Sequence, residues 1–238
     1  MPVSVWLLNT VSDTGKIPVI AIDGPSASGK GTVAERVAQA LGFHYLDSGA
    51  IYRVAALAAR KAGIAVDDEA ALVALAANLD LNFIDGKIFL TGADVTQGVR
   101  SGEAGNDASR ISALSRLRQA LLARQLACRR QPGLVADGRD MGSVVFPDAL
   151  LKIFLTASVE ARAERRYKQL KQKGMYANLA AIQEELQRRD ARDSGRTAAP
   201  LIICDDAVVL DTSELTIEQA VAFVLEKYQA ARRATGVR

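Results

Sequence analysis

The fold of this chain is decided by the stretch Gly24-Pro25-Ser26-Ala27-Ser28-Gly29-Lys30-Gly31-Thr32. Its spacing, G-x-x-x-x-G-K, is typical of loops that wrap around the phosphates of a nucleotide. Glycines suit such a loop because the backbone must turn sharply and bring successive N–H groups against phosphate oxygens. The loop is therefore predicted to bind a nucleotide such as ATP, with Lys30 reaching its β- and γ-phosphates.

The residues on either side of this loop support that interpretation. The apolar run at 19–23 predicts a buried strand before it. After the loop, Val33, Val37 and Leu41 recur at helical spacing, and Gly42 is placed to end that helix. An ordinary Gly/Ser turn between a strand and a helix is the alternative, but such a turn would not require this spacing.

One position departs from the common motif. Gly31 stands where such loops usually carry Ser or Thr, and Thr32 follows it. The hydroxyl that commonly binds Mg²⁺ is therefore missing from its usual place. We expect no direct protein ligand to the ion, which would be held mainly by nucleotide phosphates and waters. Asp137, further along the chain, is suited to hold one of those waters.

The rest of the chain alternates strands with helices. Further core strands are expected at 44–46, 134–136, 151–155 and 207–210. Five strands that alternate with helices predict an α/β fold with a five-stranded parallel sheet, covered by helices on both faces. A hairpin of residues 81–84 and 87–90 around Asp85-Gly86 interrupts this pattern and predicts an inserted small antiparallel subdomain.

These patterns divide the chain into parts. We expect an N-terminal extension at 1–16, a core at 17–75 and 130–238, and the inserted subdomain at 76–129. Within the core, the strongly charged helical region at about 162–196, broken at Gly174, predicts a short lid.

The last helix has a recognisable start and an apolar face. It is predicted to begin with a capping box of Thr216 and Gln219. The same pattern predicts that five residues are buried: Ile217, Val221, Val224, Leu225 and Tyr228.

The composition argues against several classes of protein. The chain has 238 residues, of which 49% are hydrophobic and 24% charged, an ordinary globular balance. A formal net charge of +3, with both signs mixed, does not indicate nucleic-acid binding. Cys128 and Cys204 lie far apart, which argues against a disulfide framework or a zinc site. No apolar run approaches membrane-spanning length, so we expect a cytoplasmic protein without a membrane partner.

A second group of polar residues begins where the second strand is expected to end. Open α/β sheets bind ligands at this edge. Ser48 could cap the following helix and donate to a phosphate, and Arg53 could add a fork of donors from the same helix. The alternative is that Ser48 only caps the helix and that Arg53 is a solvated surface residue.

A third group, Asp137-Gly138-Arg139-Asp140, follows the strand at 134–136. Arg139 is suited to neutralise an acceptor phosphate, and Asp140 to accept a hydrogen bond from a base or a sugar. A plain polar turn is the alternative. The position at a carboxyl edge, converging on the phosphate loop, favours the binding role.

A fourth group lies near the end of the charged helical region. Arg189, Asp193 and Arg196 are spaced i, i+4 and i+7, which places them on one face of a helix or its extension. Ion pairing within an exposed helix is the alternative. A mobile arginine-rich lid suits phosphoryl transfer, because two nucleotides repel each other and fixed cations must offset their charge.

Three more arginines lie on the helix that follows Ser158. Arg162, Arg165 and Arg166 could contact ATP from the lid. They could equally form a solvated helical face that has no function.

Four motifs in this order, GPSASGKGT, LDSGAIYR, ADGRDMG and RRDARDSGR, resemble those of the bacterial cytidylate kinases, which are P-loop nucleoside-monophosphate kinases. The resemblance covers nearly the whole chain after about residue 17. It implies Mg²⁺-assisted transfer of the ATP γ-phosphate to CMP or dCMP. It also implies that the inserted subdomain binds the nucleoside monophosphate, and we expect a monomer.

The resemblance also implies roles for particular residues. The acceptor phosphate would be bound by Ser48, Arg53, Arg139 and Arg196. The cytosine edge would be faced by Ser109, Arg118 and Asp140. The sugar hydroxyls would be bound by Arg189 and Asp193. The catalytic cations would be Lys30, Arg139 and Arg192. An Asp carboxylate is a natural acceptor for the exocyclic amine of cytosine, whereas uracil presents a carbonyl there.

Two other functions remain open at this point. The chain could be a P-loop kinase for another nucleoside monophosphate or a small metabolite, and only the acceptor-site arginines and Asp140 argue against this. It could also be a nucleotide-binding switch module without an acceptor substrate. Gly31 and the Arg/Asp helical face argue against a switch, which needs no second anion pocket.

Overall fold

A computed structural model of the chain describes residues 17–84 and 86–235. The expected N-terminal extension and Asp85 of the hairpin turn lie outside the described residues. No helix among the described residues is both long enough and apolar enough to cross a bilayer.

The described residues form eight strands and nine α-helices. The strands are β1 (Val19–Asp23), β2 (His44–Asp47), β3 (Leu81–Ile84), β4 (Lys87–Leu90), β5 (Ala93–Asp94), β6 (Leu134–Gly138), β7 (Leu151–Thr156) and β8 (Val208–Asp211). The helices are α1 (Lys30–Leu41), α2 (Ser48–Lys61), α3 (Glu69–Ala77), α4 (Thr96–Val99), α5 (Gly102–Ile111), α6 (Ser115–Leu126), α7 (Val159–Gln172), α8 (Leu179–Gly195) and α9 (Ile217–Thr235). A short π-helical turn covers Met141–Val145.

The main sheet has five strands in the order β2-β6-β1-β7-β8, and every pairing is parallel. The two faces of β1 explain why the sheet is covered on both sides. Val19 and Ala21 pack in a cluster with residues of α2 and α6, whereas Ile20 and Ile22 pack with residues of α1 and α9. Alternate side chains of a strand point to opposite faces, so this continuous apolar run requires helices on both. The predicted α/β fold is confirmed.

The strand register brings the predicted site segments to one edge of the sheet. Asp23 at the end of β1 pairs with Gly138 of β6, and Asp47 at the end of β2 pairs with Asp137. The phosphate loop, the start of α2 and the segment after β6 therefore leave the sheet side by side. This edge is where open parallel sheets bind their ligands.

The predicted hairpin is part of a three-stranded antiparallel sheet, β3-β4-β5. Ile88, Leu90 and Val95 of this small sheet and its edge pack against Val54 and Ala58 of α2. The small sheet therefore rests on the helix that carries Arg53. The break in the charged helical region is also where it was predicted, because α7 ends at Gln172 and Gly174 follows with a φ of 70°.

Two local predictions are wrong. Ser48 is not the N-cap of α2: Asp47 has extended backbone dihedrals, and its carboxylate accepts from the Ala50 N–H at 2.8 Å. The capping box of Thr216 and Gln219 is present, with reciprocal hydrogen bonds of 2.9 and 3.2 Å. Ile217, however, is 39% exposed because it lines a large cavity beside the phosphate loop and does not face the core.

Replacing Gly24 by alanine is expected to destabilise the fold by about 2–3 kcal/mol, because it overpacks a site without free space. A Cβ at this position would lie 2.0 Å from the Leu155 carbonyl oxygen of β7. Urea unfolding measures the change. Gly42→Ala is the matched control, since Gly42 has a φ of 65° but no atom within 4 Å of the place that a Cβ would take. A Gly24→Ala loss no larger than the control's would contradict the steric argument.

Candidate active site

Two cavities meet at the carboxyl edge of the main sheet. The larger has a volume of about 600 Å³ and the smaller about 50 Å³. Among the side chains of the larger are those of Lys30, Arg53, Asp137, Arg139, Arg165, Arg166 and Arg189. Among those of the smaller are Ser48, Tyr52, Ser109, Arg118, Arg139, Asp140, Arg189, Asp193 and Arg196. Arg139 and Arg189 line both, so cationic side chains stand where the two cavities join.

The phosphate loop forms one wall of the larger cavity. Residues 26–33 line it, and α1 starts at Lys30 with Gly29 as its N-cap at a φ of 94°. The Lys30 ammonium donates to the Pro25 carbonyl at 3.2 Å, so the side chain folds back over its own loop. A helix N-terminus, free backbone N–H groups and a lysine together form a site for a polyanion.

Burial and like charges shape the electrostatics of this wall. Burial, and then the positive charge of Arg139, lower the pKa of Lys30. Burial, and then the negative charge of Asp47, raise the pKa of Asp137. Both groups are therefore less stable in their charged forms than they would be in water, and a bound polyanion would restore the charge on Lys30.

Arginines from α2, α6, α7 and α8 and from the segment after β6 add positive charge to the cavities. Arg53 of α2 lines the larger one and donates to the Val99 carbonyl at 3.2 Å. Burial, followed by the charges of nearby arginines including Arg139, lowers the pKa of Arg189 to about 10. Arginine remains protonated at neutral pH even so, and this crowding of cations favours binding of anions.

The smaller cavity contains two ion pairs that are largely buried. Arg118 pairs with Asp140, and Arg139 Nε donates to Asp193 Oδ2 at 2.7 Å. Ser109 Oγ lies 3.5 Å from Asp193 Oδ1. Although burial alone would raise it, the pKa of Asp193 is lowered overall by the charge and hydrogen bond of Arg139. The carboxylates of this pocket are therefore matched one to one with guanidinium groups.

Three further hydrogen bonds connect residues at this pocket. Arg196 Nη1 donates to Ser112 Oγ at 3.1 Å, and Arg118 Nη1 donates to the Ser112 carbonyl at 3.2 Å. Ser48 Oγ accepts from Gln125 Nε2 at 2.8 Å. Residues of α2, α5, α6 and α8 and of the segment after β6 thus converge on a pocket of a few side chains.

Sequence reasoning missed Tyr52 and Ser112, which line this pocket, and Gln125, which donates to Ser48 but lines neither cavity. Gln125 lies on α6 far from any motif, and the sequence carries no signal for it. Tyr52 is 5% exposed, and its hydroxyl has no hydrogen-bond partner within the described residues. Its spacing of four from Ser48 places both on one face of α2, and this spacing could have identified it.

Two of the arginines singled out from the sequence line neither cavity. Arg192 is exposed, and its Nη2 donates to Asn106 Oδ1 of α5 at 3.0 Å. Arg162 is 3% exposed and lines neither cavity, so it is neither a contact for a nucleotide nor part of a solvated face. Arg165 and Arg166 line the larger cavity. The remaining predicted site residues line one cavity or both, except Gly24 and Pro25, which form the base of the loop.

Comparison with known proteins connects this site to one family. The model of the family described as cytidylate kinase matches residues 20–230. The cytidylate kinase of Chromobacterium violaceum is 60% identical over 213 residues, which are 90% of this chain and 96% of that protein. The cytidylate kinase of Nitrosomonas europaea is 55% identical over 93% of this chain and 100% of its own length.

Among solved structures, a gluconokinase from Sinorhizobium meliloti 1021 aligns with 92% of this chain and 97% of its own chain. Its TM-score is 0.47 and its sequence identity 14%.

Proposed function

The chain belongs to the cytidylate kinase family and transfers a phosphate from ATP to CMP; on this premise we propose how the two cavities divide the work. The larger cavity binds ATP through the phosphate loop. The smaller binds CMP or dCMP, so that CDP or dCDP is the product. The observation that carries this division is that Arg139 and Arg189 line both cavities. They stand where the phosphates of the two substrates would meet.

The proposed reaction needs no side-chain nucleophile. A phosphate oxygen of CMP attacks the γ-phosphorus of ATP in line, a new P–O bond forms, and the bond to the bridging oxygen breaks with ADP leaving. Lys30 follows the transferred group from the ATP side. Arg139 offsets charge at the junction, and Arg53 and Arg196 bind the acceptor phosphate together with Ser48. Their role is electrostatic, because the reacting oxygens carry charge that water cannot offset inside a closed site.

The residues present fit a magnesium ion that is bound mainly by the nucleotide. The described residues offer no group of three or more His, Cys, Asp or Glu side chains that could hold a metal ion. Asp137 lines the larger cavity, and a Cβ on Gly31 would lie 3.2 Å from its carboxylate. We propose that Asp137 holds a metal-bound water in the space that Gly31 leaves free. The ion would neutralise charge on the β- and γ-phosphates.

Base selection is proposed to rest on Asp140, supported by Arg118 and Ser109. The carboxylate of Asp140 is buried and can accept from the exocyclic amine of cytosine. Uracil would place a carbonyl oxygen against it, and two buried acceptors facing each other are costly. Arg189 and Asp193 are proposed to bind the sugar hydroxyls. Asp193 would then accept from a sugar hydroxyl as well as from Arg139.

Further proposals concern the protein as a whole. We propose that it acts in the cytoplasm as a monomer and does not bind nucleic acid. The small net charge of +3 and the mixing of charges support the last of these. Size-exclusion chromatography with light scattering, at working enzyme concentrations, decides whether the chain is monomeric.

A coupled assay of ADP release across a panel of nucleoside monophosphates tests the proposed function. CMP and dCMP are expected to be turned over at least roughly tenfold more efficiently than UMP, AMP or GMP, judged by kcat/KM. An equal or higher efficiency for any other acceptor would overturn the proposed base selection. The absence of ADP release with every acceptor would overturn the kinase activity itself.

Asp140→Ala is expected to reduce the preference for CMP over UMP by about 1–3 kcal/mol, or roughly 5- to 150-fold in the ratio of kcat/KM values. The reason is that the acceptor for the cytosine amine is lost. Steady-state kinetics with both acceptors measure the ratio. Because the substitution also leaves Arg118 without its carboxylate, both acceptors will lose some activity, and only the ratio reports on recognition. An unchanged ratio would make Asp140 a partner of Arg118 only.

A further inference from the structure

Two carbonyl groups of the phosphate loop, those of Ser26 and Ser28, accept hydrogen bonds from outside the loop. Arg162 Nη1 donates to the Ser26 carbonyl at 3.1 Å. Arg165 Nη1 and Thr212 Oγ1 donate to the Ser28 carbonyl, each at 3.1 Å. In a planar trans peptide the C=O and the following N–H point in opposite directions. A donor that binds one side of the peptide therefore also sets where the N–H on the other side points.

Arg162 is the most enclosed of these donors. Its three nitrogens reach three separate parts of the fold: Nε donates to the Ala157 carbonyl at 2.9 Å, Nη1 to Ser26, and Nη2 lies 2.7 Å from Asp190 Oδ2. It is 3% exposed and lines neither cavity. It cannot therefore contact a nucleotide directly, and any effect it has on the reaction must pass through its partners.

The residue that follows Ser26 needs such support. Ala27 has a φ of 60°, in the left-handed region that costs about 1–2 kcal/mol for a residue with a Cβ. Ala27 also lines the larger cavity. A peptide under this strain relaxes unless its surroundings hold it, and the bond from Arg162 to the Ser26 carbonyl acts on that same peptide.

Asp190 connects this peptide to the lid. It lies on α8 beside Arg189, which lines both cavities, and it is the carboxylate partner of Arg162. Asp190 Oδ1 has no hydrogen-bond partner within the described residues, so Arg162 is the cation that offsets its charge there. One guanidinium thus bonds both to the phosphate loop and to the helix that carries the acceptor-site residues.

We propose that Arg162 is a positioning residue for the ATP phosphates. It holds the Ser26–Ala27 peptide so that the Ala27 N–H faces the larger cavity, and its pair with Asp190 of α8 keeps the guanidinium in place. This inference rests on the proposed use of the larger cavity for ATP. It predicts a defect in ATP binding that is separate from CMP binding.

The test is Arg162→Met, which keeps much of the side-chain volume and removes all three bonds. The KM for ATP at saturating CMP is expected to rise about tenfold, as expected for a lost hydrogen bond to a charged group, while the KM for CMP changes less than about twofold. Calorimetry should show the same weakening of ATP binding without CMP present. Arg162→Lys keeps the charge and can reach one carbonyl, so an intermediate KM for ATP is expected.

Arg129→Met is the matched control. Arg129 also donates twice to a backbone carbonyl, that of Ile17 at 2.9 and 2.7 Å, and pairs with Asp148 at 2.9 Å. Ile17 precedes β1, so Arg129 binds the chain at the amino end of this strand, away from the carboxyl edge that carries the site. The control should lower the melting temperature by a similar amount and leave both KM values unchanged.

The possible results distinguish a failure of the positioning role of Arg162 from a failure of the proposed function. If the wild-type protein binds no ATP in calorimetry, the proposed function fails. If the wild-type protein binds ATP and Arg162→Met raises the KM values for ATP and CMP equally, or raises neither, the inference alone is overturned. If Arg162→Met does not fold, Arg162→Lys decides: a selective rise in the KM for ATP supports the inference, and unchanged ATP binding overturns it.

Discussion

Replacing Lys30 by methionine is expected to lower kcat by about a thousandfold or more, because the lost cation is the one that we propose follows the transferred phosphate. Lys30 lines the larger cavity at the start of α1, where its ammonium donates to the Pro25 carbonyl of the phosphate loop. A positive charge that moves with the γ-phosphate stabilises the transition state more than the bound substrate. The loss should therefore appear in kcat as well as in the KM for ATP.

The same substitution should not weaken the fold. Burial and the nearby charge of Arg139 lower the pKa of Lys30 in the folded protein. The folded state therefore binds fewer protons at this group than the unfolded state does. The free energy of unfolding consequently increases as the pH rises from the lowered pKa of the folded state to the higher pKa of the unfolded state. Below this interval the charged ammonium destabilises the fold. At neutral pH, Lys30→Met is expected to leave the melting temperature unchanged or to raise it.

Lys152→Met is a matched control for this experiment. Lys152 is also a buried lysine, but its ammonium pairs with Asp206 at 2.8 Å and lines neither cavity. The Asp206 side chain is 64% exposed and can be solvated by water once the lysine is gone, so the control should change stability little while kcat stays near the wild-type value. A folded Lys30→Met protein with wild-type kcat would contradict the assigned role of Lys30.

The strands and the phosphate loop could be predicted because their signals are local. The apolar run at 19–23, the glycine spacing after it and the helical pattern of Val33 and Val37 are each read within a few residues. The hairpin in the middle of the chain was predictable for the same reason, since a two-residue turn between apolar runs determines its own register. Each of these elements has the bounds expected from the sequence to within a few residues.

The cap of α2 shows the limit of such local signals. Asp47 and Ser48 are both good N-cap residues, and sequence alone does not choose between them. The choice is made by β2, whose pairing with β6 continues to Asp47 and keeps its backbone extended. The helix then begins at Ser48 itself, one residue earlier than a Ser48 cap would place it. The pairing of β2 with β6, and not the intrinsic preference of either residue, therefore determines that Asp47 is the N-cap.

The pairing of the charged site residues could not be predicted either. Arg118 and Asp140 are 22 residues apart in sequence, and Arg139 and Asp193 are 54 apart. Which carboxylate meets which guanidinium depends on how α6 and α8 pack around the segment after β6. The sequence could indicate which residues are near the site, but not which of them form ion pairs with one another.

Arg192 is a predicted catalytic residue that the structure places at neither cavity. It lies in the motif between Arg189 and Arg196, yet in the structure it points to Asn106 on α5 and away from both cavities. Its predicted catalytic role would require the lid helix to move with ATP bound. That role stays a prediction.

Arg139→Ala is expected to lower kcat by roughly 10²- to 10³-fold, the range found when one preorganised charge-stabilising donor is removed from an active site. Arg139 lines both cavities, so its guanidinium can offset charge on the acceptor phosphate and on the transferred group at once. Arg139→Lys should recover only part of the rate. An ammonium is a point charge and cannot donate along two directions in a plane, as a guanidinium does.

Because Arg139 pairs with Asp193, the single substitution changes stability as well as kcat. Asp193 also offers a second background in which the two effects can be separated. Removing Arg139 leaves a carboxylate that is 3% exposed without its closest cation, which would lower stability whatever Arg139 does in the reaction. The substitution is therefore made in two backgrounds, wild type and Asp193→Asn. The amide removes the charge that Arg139 neutralises while keeping much of the shape of the pocket.

The two possible roles of Arg139 make different predictions in these backgrounds. If Arg139 serves only to neutralise Asp193, its removal should cost little kcat once Asp193 is an amide. If it stabilises the transferring phosphate, the loss in kcat should be nearly the same in both backgrounds, and only the cost in stability should shrink. We expect the second result. A kcat loss that disappears in the Asp193→Asn background would mean that the junction of the two cavities is held by Arg189 alone, and that Arg139 contributes structure but no charge to the reaction.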